Sequence, residues 1–412
     1  MTSEDNSDHI RHVQEKKQKL REVFEKYFPG RFWVLETCLS VRAILEIEGI
    51  TLPFMLVLLG PPSAGKSTII SIVGTLPESF ALDSFTPKAF VTQMANKSEE
   101  DLAKIDLLKQ IENKIFLTSE LAPLFSVRDD QLGEIFGILT RVLDGQGYKN
   151  SSGAHGQRGY NKIFFVWIGA AVDVPRKIWP IISSLGPKEY FLRIDIEISH
   201  VEEQEKIFEN MHGLTYEQKL HEINECLKEY WDAVMSFPNK NGNKIVWDSE
   251  KDQESAERAI IEYAQLLARV RGHVPSDDTK YSNGSDYAFI SPTIEDPNRA
   301  AHALYNLARG HALCNGRNYI TDDDVSVIRN IVLSSASKER IELIKLLIEN
   351  NGELTSTQIV EFRKVSKMTA LKIMKQLEIL GLVDQVKVSG TTKDFLAIRL
   401  KEQFRWILED KS

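Results

Sequence analysis

The clearest chemistry in this chain sits in eight consecutive residues, Gly60-Pro61-Pro62-Ser63-Ala64-Gly65-Lys66-Ser67. They fit the spacing G-x-x-x-x-G-K-[ST] of a phosphate loop, with the apolar run 54–59 before them and the helix-like run 68–73 after. The glycines allow the backbone to curl so that successive N–H groups face a phosphate chain, and the following helix adds its positive N-terminal end. Residues Gly60 to Thr68 would then form the cradle, with Lys66 reaching the β- and γ-phosphates and Ser67 ligating Mg²⁺.

Other residues gain meaning from their place after this loop. The next apolar strand, 114–118, ends in Ser119-Glu120. Glu120 is the candidate for activating water, and Ser119 stands where a metal-orienting carboxylate is usual. Glu120 also fits a plain structural role, a carboxylate favoured at a helix N-terminus. A further buried strand, 162–168, leads to Asp173, which would sit beside the terminal phosphate. Between these strands the glycine-rich stretch 144–160 predicts a loop or hairpin whose Tyr148, Lys149, His155 and Arg158 could grip nucleic acid; a hairpin that covers the sheet edge is the alternative.

Composition bounds the class. The chain has 412 residues and a net charge of -8, and no apolar run approaches the roughly 18 residues of a membrane helix. Its first residues lack the basic and apolar parts of a secretory signal, so a cytoplasmic location is expected. Cys38, Cys226 and Cys314 are too few and too widely spaced for a disulfide framework or zinc site, and buried free thiols are expected. From Ser337 onward the chain carries 14 Lys and Arg against 11 Asp and Glu, a net of +3, which leaves -11 for the rest. The basic residues concentrate in the tail.

The periodicity predicts helices over 8–28 and 32–48, an N-terminal segment of 1–48 that packs on the core as a collar or stands apart as a binding arm. Strands and helices then alternate through 49–199, with a fourth strand at 190–196, which implies a mostly parallel three-layer α/β sheet. Residues 200–336 read as helices over 201–211, 216–235, 255–271, 298–314 and 321–334, with Thr321 as N-cap of the last. The tail, 337–412, reads as three helices and a hairpin turning at Ser389-Gly390, the winged form of helix-turn-helix. Lys364, Lys367, Thr369, Lys372 and Lys375 lie on or just before its third helix, and Lys387 and Lys393 flank the wing. They suit a DNA groove, although such modules also dock proteins.

The order of parts resembles an AAA+ ATPase. Gly60 to Ser67 resembles the Walker A motif, Ile115 to Glu120 the Walker B motif, and Asp173 lies near the position of sensor 1. The segment from Asp296 through Arg299, Arg309, Gly316 and Arg317 to Val325 is similar to the helical lid of the minichromosome-maintenance and MoxR branch. That resemblance implies Arg299 as sensor 2, a catalytic arginine beside Lys66 and Glu120, and it likens the glycine-rich hairpin to one that such helicases insert towards DNA. It also implies a homo-oligomeric ring with an arginine finger given in trans, for which Lys188 and Arg193 are the leading candidates and Arg158 and Arg141 remain open. ATP and Mg²⁺ are the expected ligands. The implied function is a DNA-remodelling or helicase-like motor; a MoxR-like protein remodeller and a slow, DNA-bound nucleotide switch are the alternatives.

Overall fold

The computed structural model describes residues 3–94, 96–153, 156–195, 214–277, 288–289, 291–388 and 395–409. Two helices come first, α1 (Ser3–Tyr27) and α2 (Phe32–Ala43), parted at Gly30, whose φ of +65° suits glycine. α1 carries Val13, Leu20 and Phe24 on one face, and all three are buried. The expected continuation of α2 to residue 48 is corrected. A 3₁₀ turn, Ile44–Glu46, replaces it because Ile47 bridges Ile245 and the Glu48 N–H donates to the Ile245 carbonyl at 3.0 Å.

The apolar run becomes β1 (Phe54–Leu59), buried at every position as a strand covered on both faces must be. α3 (Lys66–Val73) and β2 (Ser79–Ala81) follow, then the short helices α4 (Glu99–Ile105) and α5 (Leu107–Ile111) and the strand β3 (Ile115–Thr118). After α6 (Ala122–Phe125) and α7 (Asp129–Leu143), β4 (Tyr148–Ser152) and β5 (Gly156–Tyr160) form an antiparallel hairpin. β6 (Val166–Ala171), α8 (Ile178–Leu185) and β7 (Glu189–Arg193) complete this stretch. The sheet order is β2-β3-β6-β1-β7 and every neighbouring pair is parallel, so the expected parallel α/β core is present.

One boundary moves. The strand expected at 162–168 is β6, which begins at Val166 and runs on through Gly169-Ala170-Ala171. Those small residues pair in register with Val57, Leu58 and Leu59. At Gly169 a Cβ would come within 2.4 Å of the Leu121 side chain, so the lack of one lets Leu121 pack on the sheet.

Beyond the sheet come α9 (Tyr216–Met235), the ribbon β8 (Lys240–Asn241) and β9 (Lys244–Ile245), α10 (Glu254–Val270), and the short pair β10 (Ser276–Asp277) and β11 (Ala288–Phe289). α11 (Pro297–Cys314) and α12 (Val325–Val332) follow; the helix expected from 321 starts as a 3₁₀ turn, Asp322–Asp324, under a capping box made by Thr321 and Asp324. The tail contains α13 (Lys338–Glu349), β12 (Glu353–Thr355), α14 (Ser356–Arg363), α15 (Lys367–Ile379), β13 (Val383–Val388) and β14 (Phe395–Leu400). The helix expected at 201–211, the turn at Ser389-Gly390, Lys393 and His155 lie outside the described residues.

The chain divides into two compact units, one of residues 1–175, 188–260 and 302–331, the other of 176–187, 261–301 and 332–412. In the first, α11 meets α2 at Gly310, where a Cβ would stand 2.0 Å from the Ser40 carbonyl oxygen. Alanine normally favours a helix over glycine by about 1 kcal/mol. Here Gly310→Ala is expected to destabilise the protein by about 1–3 kcal/mol through overpacking, read as a lower Tm. An unchanged or raised Tm would show that the two backbones can part. Cys38, Cys226 and Cys314 are buried and unbridged, and burial pushes the Cys314 thiol up to about 12.

In the second unit the tail strands form an antiparallel sheet of order β12-β14-β13. Leu347, Ile359, Met374 and Ile398 supply its core with the three helices. α14 and α15 are joined through Lys364, held at φ +51°. The three helices and two longer strands match the expectation; β12 was not expected.

Candidate functional site

The phosphate loop grows from the C-terminal end of β1, between β6 and β7. Its start is held from both sides: the Gly60 N–H donates to the Ala171 carbonyl at 3.4 Å, and the Ile194 N–H donates to Leu59 at 2.7 Å. Gly60 itself has little room, since a Cβ would lie 3.0 Å from the Ile194 carbonyl oxygen. Ser63 and Gly65 adopt positive φ, +65° and +82°, so the loop turns twice before α3 begins. Pro61, Pro62 and Ser63 are exposed while Ala64 is buried beneath them. The N-cap of α3 is Gly65, which brings no side-chain acceptor. First-turn N–H groups are therefore left for a ligand at this end of the helix.

Lys66 is buried, and its Nζ donates to the carbonyls of Gly60 at 2.6 Å and Pro61 at 2.8 Å. Burial lowers its pKa, opposed by the charge of Glu120. That interaction brings the strand-end carboxylate into the electrostatic reach of the loop. Glu120 is exposed and its Oε1 accepts the Ala122 N–H at 2.8 Å, so it also takes the N-terminal role at α6 that its sequence position allowed. Ser119 is half-buried beside it, and the Ser67 hydroxyl is exposed at the first turn of α3.

Two residues not foreseen adjoin the loop. Arg31 donates from Nη1 to the Ala64 carbonyl at 2.6 Å, and Tyr216, at the start of α9, shares a 2.8 Å hydrogen bond with the hydroxyl of Thr68. No motif spacing links either to a loop so far away in the chain. An isolated aromatic after a helix cap and an arginine after Pro29-Gly30 were the only signals.

Asp173 lies exposed two residues past β6. Its Oδ1 accepts the Val174 N–H at 2.9 Å and Arg193 Nη1 at 3.2 Å. The two arginine-finger candidates, Arg193 and Lys188, both have partners within the chain. The Arg193 side chain is 9% exposed, and Lys188, 13% exposed, pairs with Asp144 at 3.1 Å. Arg141 is exposed and donates to Gln146 at 3.0 Å.

Within the hairpin, Arg158 is held by the chain itself: its Nη2 pairs with Asp106 at 2.9 Å, with side chains 8% and 1% exposed, and its Nη1 donates to the Thr92 carbonyl. Asp106 also accepts Tyr160 at 2.9 Å and the Thr92 N–H at 2.6 Å. This buried node ties β5 to the segment before α4. Tyr148 is half-buried, which raises its pKa, and Lys149 remains exposed.

Arg299 lies in the first turn of α11, in the second unit. On α15, Lys367 is exposed at the first position, Lys372 is half-buried, and Lys375 is exposed and paired with Glu378 at 2.6 Å.

Among the described residues no helix is long and apolar enough to cross a membrane, and no cluster of three or more His, Cys, Asp or Glu could hold a metal ion. A Mg²⁺ ion would be carried here by phosphate oxygens and water, with the hydroxyls of Ser67 and Ser119 as the protein contacts. No curated protein matches the chain. Residues 295–335, from just before α11 through α12, match the family model of the AAA lid domain. Found in a chain with a parallel sheet and a phosphate loop, that match supports an AAA+ ATPase.

Proposed function

We propose that this chain binds Mg-ATP at Gly60–Thr68, hydrolyses it in a homo-oligomeric ring of the minichromosome-maintenance and MoxR type, and uses a C-terminal winged helix to engage DNA. The observation that carries the nucleotide site is the glycine-capped N-terminus of α3 beside the buried Lys66 ammonium. Lys66 exchanges two carbonyl partners for phosphate oxygens and neutralises charge on the transferred group. Glu120, fixed by its bond from Ala122, orients the attacking water at the terminal phosphate, and Asp173 senses that phosphate. Mg²⁺ supplies charge neutralisation of the phosphate oxygens when bound, with Ser67 and Ser119 as its protein contacts.

The DNA part rests on exposed lysines of α15 in a tail of net charge +3. Lys367→Glu with Lys375→Glu is expected to weaken DNA binding and to flatten its salt dependence by roughly two counterions. Hydrolysis in the presence of DNA should then fall to the DNA-free rate. DNA affinity and salt slope unchanged in this double variant would remove α15 from the interface. A second reading has its own support: Phe362 and Met368, 48% and 49% exposed, place two large apolar side chains on either side of the α14–α15 turn. They suit a protein partner, as in a protein-remodelling chaperone, and turnover indifferent to DNA would favour it.

A further inference from the structure

Arg193 and Asp173 stand on opposite sides of the phosphate-loop strand. Arg193 pairs in register with Leu59 on β7, and Asp173 follows β6, whose Ala171 pairs with Leu59 from the other side. Strands are about 4.8 Å apart, so an ion pair between these two passes across the end of β1 where the loop begins. Among the described residues, only Nη1 of the guanidinium is used, at 3.2 Å, while Nε and Nη2 are buried with no hydrogen-bond partner. The carboxylate that meets it is 52% exposed.

A guanidinium stays charged at any physiological pH, and a buried one normally fills its donors. The unfilled pair here is the Nε–Nη2 edge. That edge has the fork geometry that binds two oxygens of one phosphate or carboxylate, and it lies at the C-terminal ends of parallel strands, where such sheets bind their ligands.

We propose that Arg193 acts in cis as a phosphate-binding residue: its Nε–Nη2 edge takes the terminal phosphate of a nucleoside triphosphate held on its own chain's loop, and Asp173 is the anionic stand-in that this phosphate displaces. The inference rests on the nucleotide-binding reading above and adds a discriminator to it. A diphosphate leaves Arg193 on Asp173. A triphosphate moves it. The site thereby reports which nucleotide is bound without an arginine from a second subunit.

The test is the ratio of affinities for ADP and ATPγS, each with Mg²⁺, measured on the full chain. Arg193→Gln is expected to weaken ATPγS about tenfold or more while ADP stays within about twofold, as loss of a charged hydrogen bond to one phosphate requires. Asp173→Asn, at a position 52% exposed where the amide oxygen can still accept from Nη1, is expected to shift the ratio the other way, tightening ATPγS by about two- to fivefold because its competitor has lost its charge, with Tm followed to confirm that the fold is kept. If Arg193→Gln lowers both affinities equally, or Asp173→Asn leaves the ratio unchanged, Arg193 is a structural partner and the proposal is overturned. Lys66→Ala separates the two levels. A ratio unmoved at Arg193 and Asp173 with both nucleotides lost at Lys66 sinks the cis arginine alone, whereas a wild-type chain that binds neither nucleotide sinks both.

Discussion

Lys66→Ala is expected to lower kcat for ATP hydrolysis by a factor of about 10²–10³, the usual loss when one preorganised donor to a reacting group is deleted, and to weaken nucleotide binding. The side chain has two properties that make the effect large. It is buried at the loop, so its charge acts through little water, and its Nζ already sits within 2.8 Å of the loop's own carbonyls. Those carbonyls hold the ammonium at the loop, so little reorganisation is needed when phosphate arrives. Removing Lys66 should cost the fold only modestly: Pro61 is exposed and water can replace Nζ at its carbonyl, while the buried Gly60 carbonyl loses a donor, a cost of about 1–3 kcal/mol. Titration calorimetry and steady-state turnover check the first point, and a Tm lowered by no more than a few degrees checks the second. Lys66→Arg is not expected to rescue, since a planar fork does not fill the place of a compact ammonium among two carbonyls. Turnover undiminished by Lys66→Ala would mean that hydrolysis takes place elsewhere on the chain.

What was legible in the residues is local. The run from Phe54 to Ser67 announces strand, loop and helix within fourteen consecutive residues, because burial on both faces, two glycines and a lysine at fixed offsets leave one arrangement. The hairpin at Tyr148–Tyr160 was likewise legible from its glycines. Charge partners were not. Arg158 reads as a free cation until Asp106, 52 positions earlier, is brought to it at a junction of two short helices. Arg193 reads as a cation inside an apolar strand, and only the order β6-β1-β7 puts Asp173 within reach. The end of β6 was misjudged for a different reason. Gly169-Ala170-Ala171 has weak strand propensity, and its pairing with β1 overrides that preference. β12, three residues long, offers too short a pattern to register at all.

A cluster that periodicity could not show predicts a pH profile for stability. His311 of α11 is buried between two carboxylates, with Nδ1 at 2.6 Å from Asp324 and Nε2 at 3.5 Å from Glu36 of α2. Lys17 of α1 also pairs with Glu36, and Arg21 approaches it at 3.8 Å. Arg317 grips Asp324 through two bonds of 2.8 and 3.0 Å. Burial alone would lower the His311 pKa, but its bonds to Asp324 and Glu36 outweigh that and raise it above 6.5. Burial alone would raise Glu36 from 4.5, but His311 and Lys17 bring it down to about 2. Asp324 is lowered below 3.8 against its burial, by His311 and then Arg317.

The signs follow from linkage. His311 contributes stability that is complete below 6.5 and is lost as pH rises through its raised folded value; Glu36 contributes stability that is complete above 4.5 and is lost as pH falls towards about 2. This cluster therefore stabilises most between about pH 4.5 and 6.5, and each limb can be isolated by difference from a variant. His311→Gln is expected to flatten the alkaline limb of the unfolding free energy measured in denaturant at several pH values. Asp324→Ala should cost about 3–5 kcal/mol at neutral pH, because it strands Arg317 and His311 as buried cations without their shared counter-charge. Parallel pH profiles for wild type and His311→Gln would mean that the imidazole is neutral in the folded chain and that the α11–α2 contact owes nothing to its charge.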